Sequence, residues 1–216
     1  MDKARKRLPH NRLMNSSSEA FSRHDVKFSG NLIETTVTDS AETVENWVRE
    51  VRQTYQKPFF VGLDCEWKPN YIRGRCNPLA LLQLCIENKC LIIQLLYIDR
   101  IPRLLRGFLH DSSITFVGVE VESDVKKLRD SYGLECFNAR DVRKLAMDSD
   151  WASAFTGRRP GLKDLAFEIA GLSMIKPKKV TMSNWDALVL KENQIEYACI
   201  DAYVSYRIGR KLLLKD

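Results

Sequence analysis

The stretch from Phe59 to Glu66 constrains this chain more than any other. Phe59, Phe60, Val61, Gly62 and Leu63 form a short apolar run that reads as a buried strand, and the run ends on two carboxylates, Asp64 and Glu66, spaced by a single residue. Strand side chains alternate faces, so Asp64 and Glu66 point the same way and their oxygens converge. Like charges held that close repel, so either something positive sits between them or one of the pair holds a proton. Cys65 lies between them in sequence but faces the opposite side of the strand, which argues against a nucleophilic role.

The flanking pattern places this strand in a sheet covered by helices. Residues 31–39 alternate in a strand-like way, and Asp39 or Ser40 can cap a helix over 41–55 whose buried stripe is Val44, Trp47, Val48 and Val51. Apolar runs at 59–66, 79–87 and 89–98 read as a meander of strands, and 114–120 reads as another buried strand. Helical spacing occupies 100–111, 122–133, 140–148, 161–171 and 193–213, with Gly133 as a stop signal. Strands early, mixed units after them and a helical final third predict an α/β fold, a mixed central sheet flanked by helices.

At 216 residues the chain is long enough for one domain with a full core. Residues 1–28 are polar, basic and serine-bearing and read as a disordered tail, leaving 29–216 as the domain. Of the formal net charge of +6, the first twelve residues contribute Lys3, Arg5, Lys6, Arg7 and Arg12 against Asp2. That tail reads first as a solvated arm, and second as a nuclear-targeting or nucleic-acid-contacting segment. Cys65, Cys76, Cys85, Cys90, Cys136 and Cys199 contain no C-x-x-C pair and read as reduced thiols. No apolar stretch approaches membrane-spanning length, so the expectation is no membrane and an intracellular setting, nucleus or cytoplasm or both.

Three further residues complete an acidic constellation. Asp124 opens the helix after the 114–120 strand, Asp201 lies in the last helix, and Tyr197 stands one turn before Asp201 on the same face. Strand ends and helix starts of an α/β fold meet at one edge of the sheet, so distance in sequence is no obstacle. Several converging carboxylates are the ligand set that hard divalent cations need, and a two-metal centre would neutralise them while activating water on a phosphodiester. In such a centre Tyr197 could orient the attacking water.

With these residues in place, the sequence resembles the DEDD superfamily of 3'-to-5' exonucleases, tyrosine subtype, and within it the Werner syndrome protein exonuclease domain and its stand-alone plant-type relatives. Asp64 and Glu66 match the family's D-x-E after a hydrophobic strand, Asp124 its helix-opening aspartate, and Tyr197 with Asp201 its Y-x-x-x-D. The histidine subtype is set aside, because Glu196 occupies the position five before Asp201 and the histidines are His10, His24 and His110. The resemblance spans about 30–214. It implies a ribonuclease H-like exonuclease fold, two Mg2+ or Mn2+ ions on Asp64, Glu66, Asp124 and Asp201, and release of nucleoside 5'-monophosphates from the free 3' end of DNA or RNA.

It also implies substrate contacts near the first motif. Leu63 and Trp67 flank the acids and could stack on the terminal base, while Lys68, Arg73 and Arg75 could track the backbone. Arg158, Arg159 and Lys163, and then Lys176, Lys178 and Lys179, are further basic groups open to the same use. A homo-oligomer and a helicase, repair or RNA-processing partner are compatible with the family. One departure stands out: Glu120 occupies a place, four before Asp124, where many relatives carry glycine or asparagine. Facing the cleft it would oppose a phosphate or assist a metal; turned away it is a surface acid, the reading preferred here. The alternative function is a catalytically weak or inactive nucleic-acid-binding or oligomeric scaffold of the same fold.

Overall fold

The computed structural model describes residues 21–69 and 77–214. Their strands form one sheet of seven in the order β1-β2-β5-β4-β3-β6-β7, with β1 Phe21–Phe28, β2 Asn31–Thr38, β3 Phe59–Glu66, β4 Leu81–Ile86, β5 Lys89–Gln94, β6 Ile114–Gly118 and β7 Ala139–Asp141. The expected meander is β3-β4-β5, antiparallel throughout, whereas β6 runs parallel to β3, β7 to β6, and β2 to β5. The sheet is therefore mixed.

Helices cover both faces. Below lie α1 (Ala41–Thr54), α2 (Arg103–Leu109) and α3 (Val121–Tyr132), packed on Val61, Leu63, Leu84 and Phe116. Above lie α4 (Val142–Met147), α5 (Leu162–Ala170), the short α6 (Lys178–Thr181) and the long α7 (Glu192–Leu213), packed on Cys85, Ile92 and Val117. Ser40 caps α1 by accepting from the Thr43 amide, and Val44, Trp47, Val48 and Val51 are buried as the stripe requires. Among the described residues no helix is long and apolar enough to cross a membrane.

One boundary is corrected. Residues 21–28, assigned from composition to the tail, form β1, an edge strand in register with β2 from Phe21 opposite Thr38 to Phe28 opposite Asn31. The turn at Ser29 and Gly30 takes positive φ at both, 46° and 76°, the backbone that suits a two-residue hairpin. Only Val26 of this strand is buried, while Arg23, Asp25 and Lys27 face solvent. Charged residues guard an exposed sheet edge, and that same composition mimics disorder. Residues 1–20 of the expected tail lie outside the described residues.

Gly62 sets the distance between sheet and α7. A Cβ built on it would lie 2.0 Å from the Ala202 carbonyl oxygen and 2.8 Å from the Tyr206 amide nitrogen. Gly209, further along α7, makes room for the Val117 side chain of β6, whose Cγ2 would lie 2.6 Å from a Cβ there. Without side chains at these two points the helix backbone rests directly on β3 and on the Val117 side chain of β6. Asp201 is thereby laid over the end of β3.

Candidate active site

The alternation of β3 turns Leu63 and Cys65 into the lower core and Asp64 and Glu66 toward α7. Asp201 descends from α7 to meet them, and Asp64, Glu66 and Asp201 each bring one carboxylate oxygen within 4.8 Å of the others. Burial, followed by the charge of Asp201, pushes the Asp64 carboxyl up to about 7. Burial and the charge of Asp64 hold Glu66 well above the usual carboxylate range. Asp124, in the first turn of α3, belongs to the same field: burial and then the charge of Asp64 push it up to about 9. Asp201 is raised as well, burial outweighing the help of Lys176.

Four acids whose ionised forms are disfavoured mark a site short of positive charge. Lys176 is built into it, its Nζ 2.5 Å from Asp201 Oδ2 and 5.2 Å from the centre of the Tyr197 ring, and the charge of Lys127 acts on Asp124. Burial alone would depress Lys176, but Asp201, Tyr197 and Asp64 together raise it, so it stays charged. These ammonium groups do not balance four acids, all of which remain raised. Asp201 Oδ1 is buried with no hydrogen-bond partner among the described residues. Buried carboxylate oxygens with spare lone pairs are the donor set of hard divalent cations, and the residues present fit such ions.

Tyr197 is buried beside this cluster, its ring tilted against Trp185 at 5.9 Å and its hydroxyl accepting from Thr181 Oγ1 at 3.4 Å. Burial and the neighbouring Asp201 raise its phenol. At neutral pH it therefore keeps its proton and acts as a hydrogen-bonding group.

Glu120 is neither an uncompensated cleft charge nor a free surface acid. Its backbone is left-handed, φ 58° and ψ 25°, at the start of α3. That conformation favours glycine and asparagine, the residues that the resemblance implies at this position. Its Oε1 accepts from Arg143 Nη1 and from Arg159 Nη2, both at 3.0 Å. Its amide donates to Asp141 Oδ2 at 3.1 Å, and the same carboxylate caps α4 through the Arg143 amide at 2.8 Å.

The remaining expectations divide. Leu63 is fully buried in the lower core, so it has no surface to offer a base, and its proposed stacking is corrected. Strand alternation already turned it away from the acids. Trp67 is partly buried against the same core with Lys127 Nζ 4.3 Å over its ring, and Lys68 is exposed beyond the end of β3. Arg73 and Arg75 lie outside the described residues. Arg158 is committed to Asp164 at 2.9 Å and Arg159 to Glu120. Lys176, grouped with Lys178 and Lys179 as a backbone-tracking charge, turns instead into the acids. Nothing in a proline-flanked basic loop signals that turn. Asp141 was missed too, although an aspartate directly before a helical run is a capping signal that could have found it.

Comparison with known proteins agrees with this geometry. The family model described as 3'-5' exonuclease matches residues 35–215. A "3'-5' exonuclease" of Arabidopsis thaliana is 28% identical over 163 residues, covering 73% of this chain and 53% of the relative. "Exonuclease 3'-5' domain-containing protein 2" of Mus musculus is 35% identical over 183 residues, covering 82% of this chain and 28% of the relative. Escherichia coli RNase D shares the fold, with a TM-score of 0.65 and 24% identity over 82% of this chain and 44% of its own. The chain thus spans about half the length of the Arabidopsis relative and less of the mouse one. With a match running from β2 through α7, the chain belongs to the 3'-5' exonuclease family.

Proposed function

We propose that this protein is a divalent-metal-dependent 3'-to-5' exonuclease of the tyrosine subtype of the DEDD superfamily, hydrolysing phosphodiesters at the free 3' end of DNA or RNA and releasing nucleoside 5'-monophosphates. The observation that carries this is the convergence of Asp64, Glu66 and Asp201 within 4.8 Å, with Tyr197 one helical turn away. Asp64, Glu66 and Asp201, with Asp124 from the first turn of α3, would hold two Mg2+ or Mn2+ ions. When bound, such ions supply neutralising charge and polarise the phosphodiester. The chain's own residues do the rest. Tyr197, kept protonated, orients the attacking water, and Lys176 holds Asp201 in place while adding positive charge beside the reacting phosphate. Trp67 and Lys68 border the strand's entry.

The scaffold alternative rested on Glu120 as an unbalanced negative charge. Arg143 and Arg159 balance it, which removes that ground. The exonuclease domain begins no later than β1, and the five free cysteines among the described residues suit a reducing compartment, nucleus or cytoplasm.

The test is an end-labelled DNA or RNA strand incubated with Mg2+ or Mn2+. Stepwise shortening from the 3' end with release of 5'-monophosphates is expected, abolished by Asp64→Asn or Asp201→Asn. Tyr197→Phe should lower the single-turnover rate by about 10²-fold without weakening metal binding. A wild-type protein that binds strands and never shortens them would overturn the reading.

A further inference from the structure

We propose that Arg143 and Arg159 form a fork that binds a backbone phosphate of the nucleic-acid strand, and that Glu120 fills this fork in the free protein as an intramolecular stand-in for that phosphate. The inference rests on the nuclease reading and adds a subsite to it. One carboxylate oxygen accepting from two guanidinium groups at 3.0 Å each reproduces what one phosphate oxygen would receive there. Arg143 is built in: its Nε donates to the Pro160 carbonyl at 2.7 Å, and its side chain is only 12% exposed. Arg159, 74% exposed, meets Glu120 alone among the described residues and is free to follow a ligand.

Glu120 itself is spent on this contact. It stands at the N-cap position of α3 but makes no side-chain cap, and it holds a left-handed backbone that a glutamate disfavours. Its side chain is 55% exposed, so it can leave the fork without opening the core. The fork also lies beside the acids. Glu120 follows Gly118 by two residues, and a Cβ built on Gly118 would lie 2.5 Å from the Leu63 carbonyl oxygen, so the turn that carries Glu120 sits against the β3 backbone next to Asp64. A strand engaged at the acids passes the fork within a nucleotide or two. Binding there is an exchange, phosphate for carboxylate, so Glu120 lowers affinity and screens the fork from stray anions.

The test measures binding of a single-stranded oligonucleotide by fluorescence anisotropy in EDTA, over a range of salt, for wild type, Glu120→Gln, Arg159→Gln and the double variant. The melting temperature of each confirms its fold. Glu120→Gln should bind about fivefold more tightly, with a salt dependence steeper by about 0.7 in log–log slope. Arg159→Gln should bind about fivefold more weakly with a shallower slope, and in the double variant the gain from Glu120→Gln should vanish. Inorganic phosphate, compared with chloride at equal ionic strength, should weaken strand binding more in Glu120→Gln than in the double variant; an equal effect on both would overturn the proposal. Unchanged affinity and slope in Glu120→Gln, or a gain that survives undiminished beside Arg159→Gln, would also overturn it. If strands are shortened normally in Mg2+ while all four proteins bind alike, the fork fails and the nuclease reading stands. A protein that neither binds nor shortens any strand ends both.

Discussion

Replacing Gly62 with alanine adds one methyl group where α7 rests on β3. Its carbon would sit 2.0 Å from the Ala202 carbonyl oxygen and 2.8 Å from the Tyr206 amide nitrogen, both backbone atoms that no rotamer change can move. To bring the closer contact to even 3.0 Å, helix and strand must part by about 1 Å. Overpacking of a core interface costs about 1–3 kcal/mol, and two backbone clashes place this case at the upper end. For a chain of this size that is roughly 6–12 °C of melting temperature. The site suffers separately, because Asp201 precedes Ala202 and Asp64 follows Gly62 by two residues. Ligand positions in a metal site tolerate only about 0.2 Å, so Mn2+ should saturate the variant at much higher concentration. A misplacement of about 1 Å should also cost roughly 10²-fold in cleavage. Differential scanning calorimetry with and without Mn2+ and a single-turnover cleavage assay read all three effects. Gly107→Ala is the control, since a Cβ there meets nothing within 4 Å and alanine in a helix should hold or raise the melting temperature. A Gly62→Ala protein that melts within about 2 °C of wild type and saturates with Mn2+ normally would refute the account of how α7 delivers Asp201.

Lys176→Met should lower stability in EDTA by roughly 1–3 kcal/mol, less than the full cost of breaking a buried pair because the lysine is partly exposed, and saturating Mg2+ should close most of that gap. An unchanged melting temperature in EDTA would show that the lysine does not balance the acids. The metal-free protein should lose stability as pH rises. Asp64 at about 7 and Asp124 at about 9 lie above their ordinary value of 3.8, so the folded state holds more protons there. Their contribution is complete below that ordinary value and is lost as pH climbs through about 7 and then about 9. Melting in EDTA between pH 5 and 9 should fall, and the shift produced by Mg2+ should grow over the same range; a melting temperature rising with pH in EDTA would contradict the cluster's charge state. A chain beginning at residue 29 removes β1 and uncovers the edge of β2, and its melting temperature should drop by more than ~5 °C. An unchanged value would return residues 21–28 to the tail.

Much of the site was legible because its chemistry obeys local rules. The period of two along β3 alone puts Asp64 and Glu66 on one face and Cys65 on the other, and the period of 3.6 stacks Tyr197 over Asp201. The same periodicities, read along the chain, marked α1 with its buried stripe, the β3-β4-β5 meander and α7. Where side chains answer to solvent, composition misled: β1 carries charges because one strand edge is exposed, and so it looked like tail. Other features depend on contacts between segments far apart in sequence, which no local pattern encodes. Lys176 enters the acid cluster from a loop, Glu120 is claimed by arginines 23 and 39 residues away, and Leu63, next to Asp64 in sequence, belongs to the opposite core. Sequence by itself determined which residues could supply the carboxylates, because face and period are properties of a single element. Only the tertiary structure decided how close they come and which cations answer them, because those distances follow from how α7 seats on a glycine in β3.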